Sequence, residues 1–275
     1  MDKDISTRDQ ENLKPEDSYF DFQSFWGITK HMGGLSTTEE LAELCQIGAD
    51  SHVLVVGCGA GISACHIARK YGSRIVAVDL LIRMVDWSRR RAHKQTLADR
   101  VEFSVADAQT LPFKEGTFDA VLCESVNAFV PDKQIAAKEY WRILKPGGYV
   151  GLNESIWLEP PPHELVDYVK RAMNDPEFLP PDGWQRLLEE AGFSGVTNAP
   201  RQVKALEQWR SEISGYQSDD YLDLFRAGGK FFSLAFRSAS FRKYIRGLLP
   251  PRNIASIFHY MGYGLYTGSK PVLDL

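Results

Sequence analysis

Apolar positions fall into two alternating kinds of run along this chain, short continuous ones and longer ones spaced like a helix face. "HVLVVG", "RIVAVDL", "VEFSVAD", "TFDAVLCES" and "YVGLNESI" are brief and largely apolar, as strands covered on both faces require. Between them, "GISACHIARKYG", "IRMVDWSRRRAHKQTLA" and "DKQIAAKEYWRILKPGG" carry helical spacing. Gly72 stops the first of these helices and a Pro-Gly turn ends the third. Five strands joined by crossover helices predict a parallel sheet with helices on both faces. Ligands of such sheets bind beyond the carboxyl ends of the strands.

The flanks read differently. Residues 1–17 are polar and are expected to be a mobile leader. "SYFDFQSFWGITKHMGG" follows, then a helix in "TTEELAELCQI" with Leu41, Leu44 and Cys45 on one face. Ser36 is its expected N-cap and Glu39 the capping-box partner. After the fifth strand, "HELVDYVKRAMND" and "DGWQRLLEEAGF" predict two helices, the second capped by Asp182 and stopped by Gly192. "SGVTNA" predicts a sixth strand, and "MGYGLYTGSK" an aromatic, edge-like last strand. The division expected is therefore a core of 18–199 and 260–275, with a helical cap inserted at 200–259.

Composition narrows the class. The chain has 275 residues, is 44% hydrophobic and carries a formal net charge of -4. The missing basic excess argues against a general nucleic-acid binder. Cys45, Cys58, Cys65 and Cys123 form no CxxC pair, so small apolar fillers in a reducing compartment are expected, and no metal site. No run is long enough to span a membrane and the start has no signal-peptide core, so a cytoplasmic protein is expected. The sequence assigns no oligomeric state.

The chemistry sits at the first strand's end. In "VLVVGCGAG", Gly57, Gly59 and Gly61 alternate with Cys58 and Ala60. Bare backbone running into a helix start can lie close to a ligand and aim N–H groups at it. A dinucleotide fingerprint needs a glycine where Ile62 stands, and no Lys-Ser or Lys-Thr follows for a P-loop. Asp79, followed by Leu80, ends the second strand, where a carboxylate can accept two ribose hydroxyls or cap the next helix. Asp107, with the small Ala108 beside it, can accept from an adenine amino group or close a turn. Glu124 ends the fourth strand facing the cleft. Asp119, at that strand's start, reads as structural.

Together, "VLVVGCGAG", "VAVDL", "VADAQTLPF", "FDAVLCES" and "LKPGGYV" resemble the class I S-adenosylmethionine-dependent methyltransferases, most closely the quinone, sterol and other small-molecule enzymes. The resemblance covers Val53 to Ser155. It implies a Rossmann-like, seven-stranded α/β sheet, mostly parallel, with the last strand inserted antiparallel. It also implies S-adenosyl-L-methionine as cofactor and S-adenosyl-L-homocysteine as product. On that basis Gly57, Cys58, Gly59 and Gly61 flank the methionine part, Asp79 and Leu80 the ribose, and Asp107 and Ala108 the adenine, with Glu124 also at the cofactor. "HMGG" and residues 18–50 resemble that group's cofactor-covering segment.

The acceptor is less legible. "ESVN" after the fourth strand lacks the Pro-Pro-aromatic motif of the nucleic-acid amino-methyltransferases, so a small-molecule acceptor is expected. Glu124, Glu154 and His31 are the candidate catalytic groups, as charge partners or proton acceptors. His163 reads as a surface residue, while Trp26, Trp157 and Tyr263 are pocket or core candidates. From Tyr221 to Arg252, basic residues interleave with phenylalanines. That predicts a packed cap, or a surface that meets an anionic substrate or a lipid headgroup layer without stable insertion. Two rivals stand beside direct methyl transfer: a non-catalytic S-adenosylmethionine-binding sensor or scaffold, and a nicotinamide-dinucleotide dehydrogenase, against which Ile62 counts.

Overall fold

A computed structural model describes residues 14–29, 31–204, 229 and 231–272. Seven strands form one sheet: β1 (His52–Val56), β2 (Arg74–Asp79), β3 (Val101–Val105), β4 (Phe118–Glu124), β5 (Leu144–Trp157), β6 (Ser194–Gln202) and β7 (Met261–Ser269). The order is β3-β2-β1-β4-β5-β7-β6, and β7 runs antiparallel to both its neighbours. This is the expected Rossmann-like architecture.

Strand order reverses between β1 and β4, which opens a crevice at their carboxyl ends. Helices α3 (Ile62–Tyr71), α4 (Ile82–Lys94) and α5 (Lys133–Ile143) make the crossovers, with α1 (Tyr19–Trp26) and α2 (Gly34–Leu44) before the sheet. α6 (His163–Ala172) and α7 (Pro181–Glu190) lie between β5 and β6. Two apolar layers enclose the sheet. One packs Leu54, Val121 and Leu152 against Tyr140 and Trp184; the other packs Val53, Val55 and Leu122 against Leu41, Ile67 and Val85. Asp119 is structural, accepting from His52 N at 2.8 Å and Lys145 Nζ at 2.7 Å. All four cysteines are buried.

Several local expectations change. β7 is inserted antiparallel inside the sheet, as the resemblance implies and against its edge-like sequence: β6 forms the edge, and Tyr266 of β7 is fully buried. α2 starts before Ser36, because Gly33 and Gly34 take positive φ (76° and 60°) and turn the chain early. Ser36 Oγ then donates to Gly33 O inside the helix, and Glu39 pairs with His66 and Lys70 instead of closing a capping box. Pro180, not Asp182, stands at the N-cap of α7; Asp182 pairs with Arg186. β5 begins at Leu144, so the Pro-Gly-Gly turn lies within a long irregular strand.

β6 runs to Gln202, three residues into the expected cap. Of the leader, residues 1–13 lie outside the described residues. Lys14–Asp17 form a turn, and Glu16 accepts hydrogen bonds from Ser238 and Ser240. Of the cap, 205–228 and 230 lie outside the described residues. Helical 231–237 and a helix over Ala239–Gly247 follow.

Candidate functional site

A cavity of about 1240 Å³ lies across the carboxyl ends of β1, β2 and β4 and reaches outward under α1 and α6. Its inner wall is Gly57, Gly59, Asp79, Leu80, Asp107, Ala108 and Glu124, so most of the expected cofactor residues share one cleft. Gly57 and Gly59 have φ of 67° and 53°, a region that penalises any side chain. A Cβ on Gly57 would stand 2.1 Å from Val126 Cγ2. α4 grips the loop from behind: Ser88 Oγ donates to Gly59 O at 2.7 Å and Arg91 Nε to Ala60 O at 2.8 Å.

Two members of the loop take other places. Gly61 is the N-cap of α3, and a Cβ there would meet Ser88 at 2.9 Å, so its glycine serves the approach of α3 to α4. Cys58 is buried, and with His31 and Ser63 it lines a small cavity of about 20 Å³ that shares Gly57, Thr29 and Glu124 with the first.

Asp79 is the most perturbed group on the inner wall. Its Oδ2 accepts from Gly59 N at 2.9 Å and its Oδ1 from Leu81 N at 3.0 Å. Burial pushes its pKa up to about 6, against the lowering pull of those N–H bonds. Leu81, not Asp79, is the N-cap of α4; Asp79 braces that start through Leu81 N and also lines the cleft. Asp107 lies two residues past β3, in the following loop. Its Oδ1 accepts from Gln109 N at 2.8 Å, closing a turn at the cavity wall.

Glu124 is nearly buried at the end of β4. Thr38 Oγ1 of α2 donates to its Oε1 at 2.9 Å and also lies 3.2 Å from its Oε2. His31 Nε2 lies 3.1 Å from Thr38 Oγ1 and 3.8 Å from Glu124 Oε1. The "HMGG" segment that carries His31 is pinned to the sheet, because Asn153 Nδ2 donates to Met32 O at 2.8 Å. Glu124 and His31 are thus brought together at the glycine loop.

Glu154 is not at the cleft edge. It is fully buried, and its Oε1 accepts from Asn127 N at 2.8 Å, Asn127 Nδ2 at 3.0 Å and Val126 N at 3.2 Å. Its pKa rises to about 7 because burial outweighs those three donors. The loop after β4 folds over the end of β5 and covers it. That loop also carries Val126 onto Gly57, so Glu154 shapes the cleft from below.

The outer half of the cavity joins Tyr19 and Gln23 of α1, Ser125 and Phe129 after β4, Trp157, and Val166, Val169, Lys170 and Arg171 of α6. Residues 174–178 close that side, with Glu177 bonded to the nearly buried Lys133 at 2.8 Å. Trp157 thus lines the pocket, Trp26 is core, Tyr263 packs at the core's margin, and His163 is exposed at the start of α6. Thr29 was not anticipated: its Oγ1 would sit 2.3 Å from a Cβ on Gly59, so the N-terminal segment lies directly on the glycine loop. Among the described residues, no group of His, Cys, Asp and Glu could hold a metal. No helix there is long and apolar enough to cross a membrane.

Residues 54–152 match the model of a family described as a methyltransferase domain. Residues 54–152 thus carry a methyltransferase domain, on the Rossmann-like fold of solved structures that hold S-adenosylmethionine or S-adenosylhomocysteine. Phosphoethanolamine N-methyltransferase 1 of Zea mays is 30% identical over 196 residues, covering 70% of this chain and 38% of that protein. Sarcosine/dimethylglycine N-methyltransferase of Halorhodospira halochloris is 25% identical, covering 70% of this chain and 73% of that one. The solved structure of a Haemonchus contortus phosphoethanolamine N-methyltransferase 2, with phosphomonomethylethanolamine and S-adenosylhomocysteine, aligns with a TM-score of 0.68 at 18% identity. That alignment covers 98% of this chain and 60% of that one. The chain spans about two fifths of the length of the curated phosphoethanolamine relatives it matches.

Proposed function

We propose that this protein transfers the methyl group of S-adenosylmethionine to a small organic acceptor by direct in-line displacement. One observation carries the reading. The glycine loop, Asp79 and Asp107 line the same cavity as a separate outer chamber under α1 and α6, so cofactor and acceptor can meet within it. The sulfonium is already electrophilic, and the protein's work is to align acceptor, methyl and sulfur and keep water out. Gly57 and Gly59 face the methionine part, Asp79 the ribose, Asp107 and Ala108 the adenine. Glu124, bonded by Thr38, sets negative charge beside the cofactor's cationic end.

For the acceptor, the maize and Halorhodospira relatives support an amine, in preference to a quinone or sterol. An amine drawn toward Glu124 and the aromatic outer wall of Tyr19 and Trp157 suits this cavity. His31 is the neighbouring group that can take a proton the amine releases.

Incubation with methyl-labelled S-adenosylmethionine and a fractionated metabolite extract, read by mass spectrometry, tests the reading. A labelled amine product is expected. Cofactor binding without a labelled product from any fraction would leave a sensor or scaffold instead.

A further inference from the structure

The described part of the cap leaves several large apolar side chains exposed. On its inner side, Phe231 meets Trp26 at 6.0 Å and Phe241 at 5.3 Å between ring centroids, and Phe241 is fully buried. On its outer side, Phe232 and Phe236 are 75% and 87% exposed. They stand four residues apart in helical 231–237, so they share one face. Leu249, 65% exposed, adds an aliphatic group just past the helix Ala239–Gly247.

The segment's own charge is of one sign, with Glu16 reaching it from the N-terminal side, at Ser238 and Ser240. No Asp or Glu occurs between Asp223 and Asp274, on a chain whose net charge is -4. Arg237, Lys243, Arg246 and Arg252 are exposed, and none forms an ion pair among the described residues. Arg242 instead closes the corner between the two helical pieces, donating to Ala235 O at 3.0 Å and Phe236 O at 2.9 Å.

We propose that this ridge docks the protein on an anionic membrane surface, with Phe232 and Phe236 entering the headgroup boundary and the basic residues meeting lipid phosphate and carboxylate. The combination selects this occupant. Exposed phenylalanine and leucine side chains call for an apolar phase, which nucleic acid does not offer Leu249. A second copy packed by two-fold symmetry would set this basic face against itself. The ridge also adjoins the cleft: Gly247 O accepts from Arg171 Nε and Leu248 O from Tyr168 OH, both at 3.3 Å, and Arg171 lines the cavity. Docking there turns the outer chamber's rim toward the lipid. It stands on this surface alone, whatever the acceptor.

Co-sedimentation of the full chain with phosphatidylcholine vesicles, with and without phosphatidylserine, tests it. Binding to the phosphatidylserine vesicles is expected, falling about tenfold or more on phosphatidylcholine alone. Phe232→Ser with Phe236→Ser, and separately Lys243→Glu with Arg246→Glu, should each lose about tenfold or more, with S-adenosylhomocysteine binding unchanged. Absence of sedimentation, equal binding by the phenylalanine variant, or preference for single-stranded RNA over vesicles would overturn the proposal.

Discussion

Asp79 and Gly59 are joined at 2.9 Å, the carboxylate of one strand end accepting the N–H of the loop beside it. The bond ties the second strand to the glycine loop and leaves the carboxylate at the cavity wall. Asp79→Asn keeps an acceptor oxygen for only one of the two N–H groups, Gly59's or Leu81's, and removes the charge offered to a ribose. Cofactor affinity is expected to fall by about 1.5–3 kcal/mol, the value of a charged hydrogen bond, while the fold persists. Calorimetry with S-adenosylhomocysteine and circular dichroism on the same sample check both halves.

The raised pKa of Asp79 predicts a pH dependence. The ionised carboxylate accepts ribose hydroxyls best, and in the free protein it protonates near pH 6. Cofactor affinity should therefore hold above that value and weaken on acidification, approaching about tenfold per pH unit below it. The effect on folding has the opposite sign. Between the ordinary 3.8 and about 6 the folded state holds the extra proton, so this group lowers stability as pH rises through that window. Titrations from pH 5 to 8 on wild type and Asp79→Asn separate this group from the rest, since the variant should lose the step.

Gly59→Ala tests how tightly the N-terminal segment closes the loop. The new Cβ meets Thr29 Oγ1 at 2.3 Å and the residue keeps a φ of 53°. A stability loss of about 1–3 kcal/mol is expected from the strain, with weaker cofactor binding. Adding Thr29→Gly should relieve the clash and recover part of the affinity. The melting temperature should stay low, because the backbone strain remains.

Glu154 and Glu124 should separate by role. Glu154→Ala strands the N–H groups of Val126 and Asn127 and is expected to cost about 2–3 kcal/mol of stability. Glu154→Gln keeps an acceptor and should retain methyl transfer within severalfold. Glu124→Gln should leave the melting temperature near wild type while cofactor Kd rises about tenfold. An unchanged Kd with a lowered kcat would move Glu124's action to the acceptor.

The sheet and the inner wall of the cleft were legible because their signals are local. Five short apolar runs place β1 to β5, and Gly57, Gly59, Asp79 and Asp107 lie at or just beyond strand ends, where topology alone gathers them. The remainder depends on distant partners. Thr38 meets Glu124 across 86 positions and Val126 meets Glu154 across 28, so no window of sequence holds either pair. That is why Glu154 reads as a cleft carboxylate in the sequence and stands in the structure as a buried anchor. β7 reads as an edge because its sequence is aromatic and glycine-rich, while its neighbours are fixed by an antiparallel insertion between β5 and β6. The acceptor chamber is assembled from α1, α6 and residues 174–178, where no strand-end rule applies.

Calorimetric titration of the full chain with S-adenosylhomocysteine, with NAD as the parallel ligand, bears most directly on the central claim. The account predicts saturable binding of S-adenosylhomocysteine, weakened in Asp79→Asn, and no heat from NAD. Saturable NAD binding without S-adenosylhomocysteine binding would contradict it.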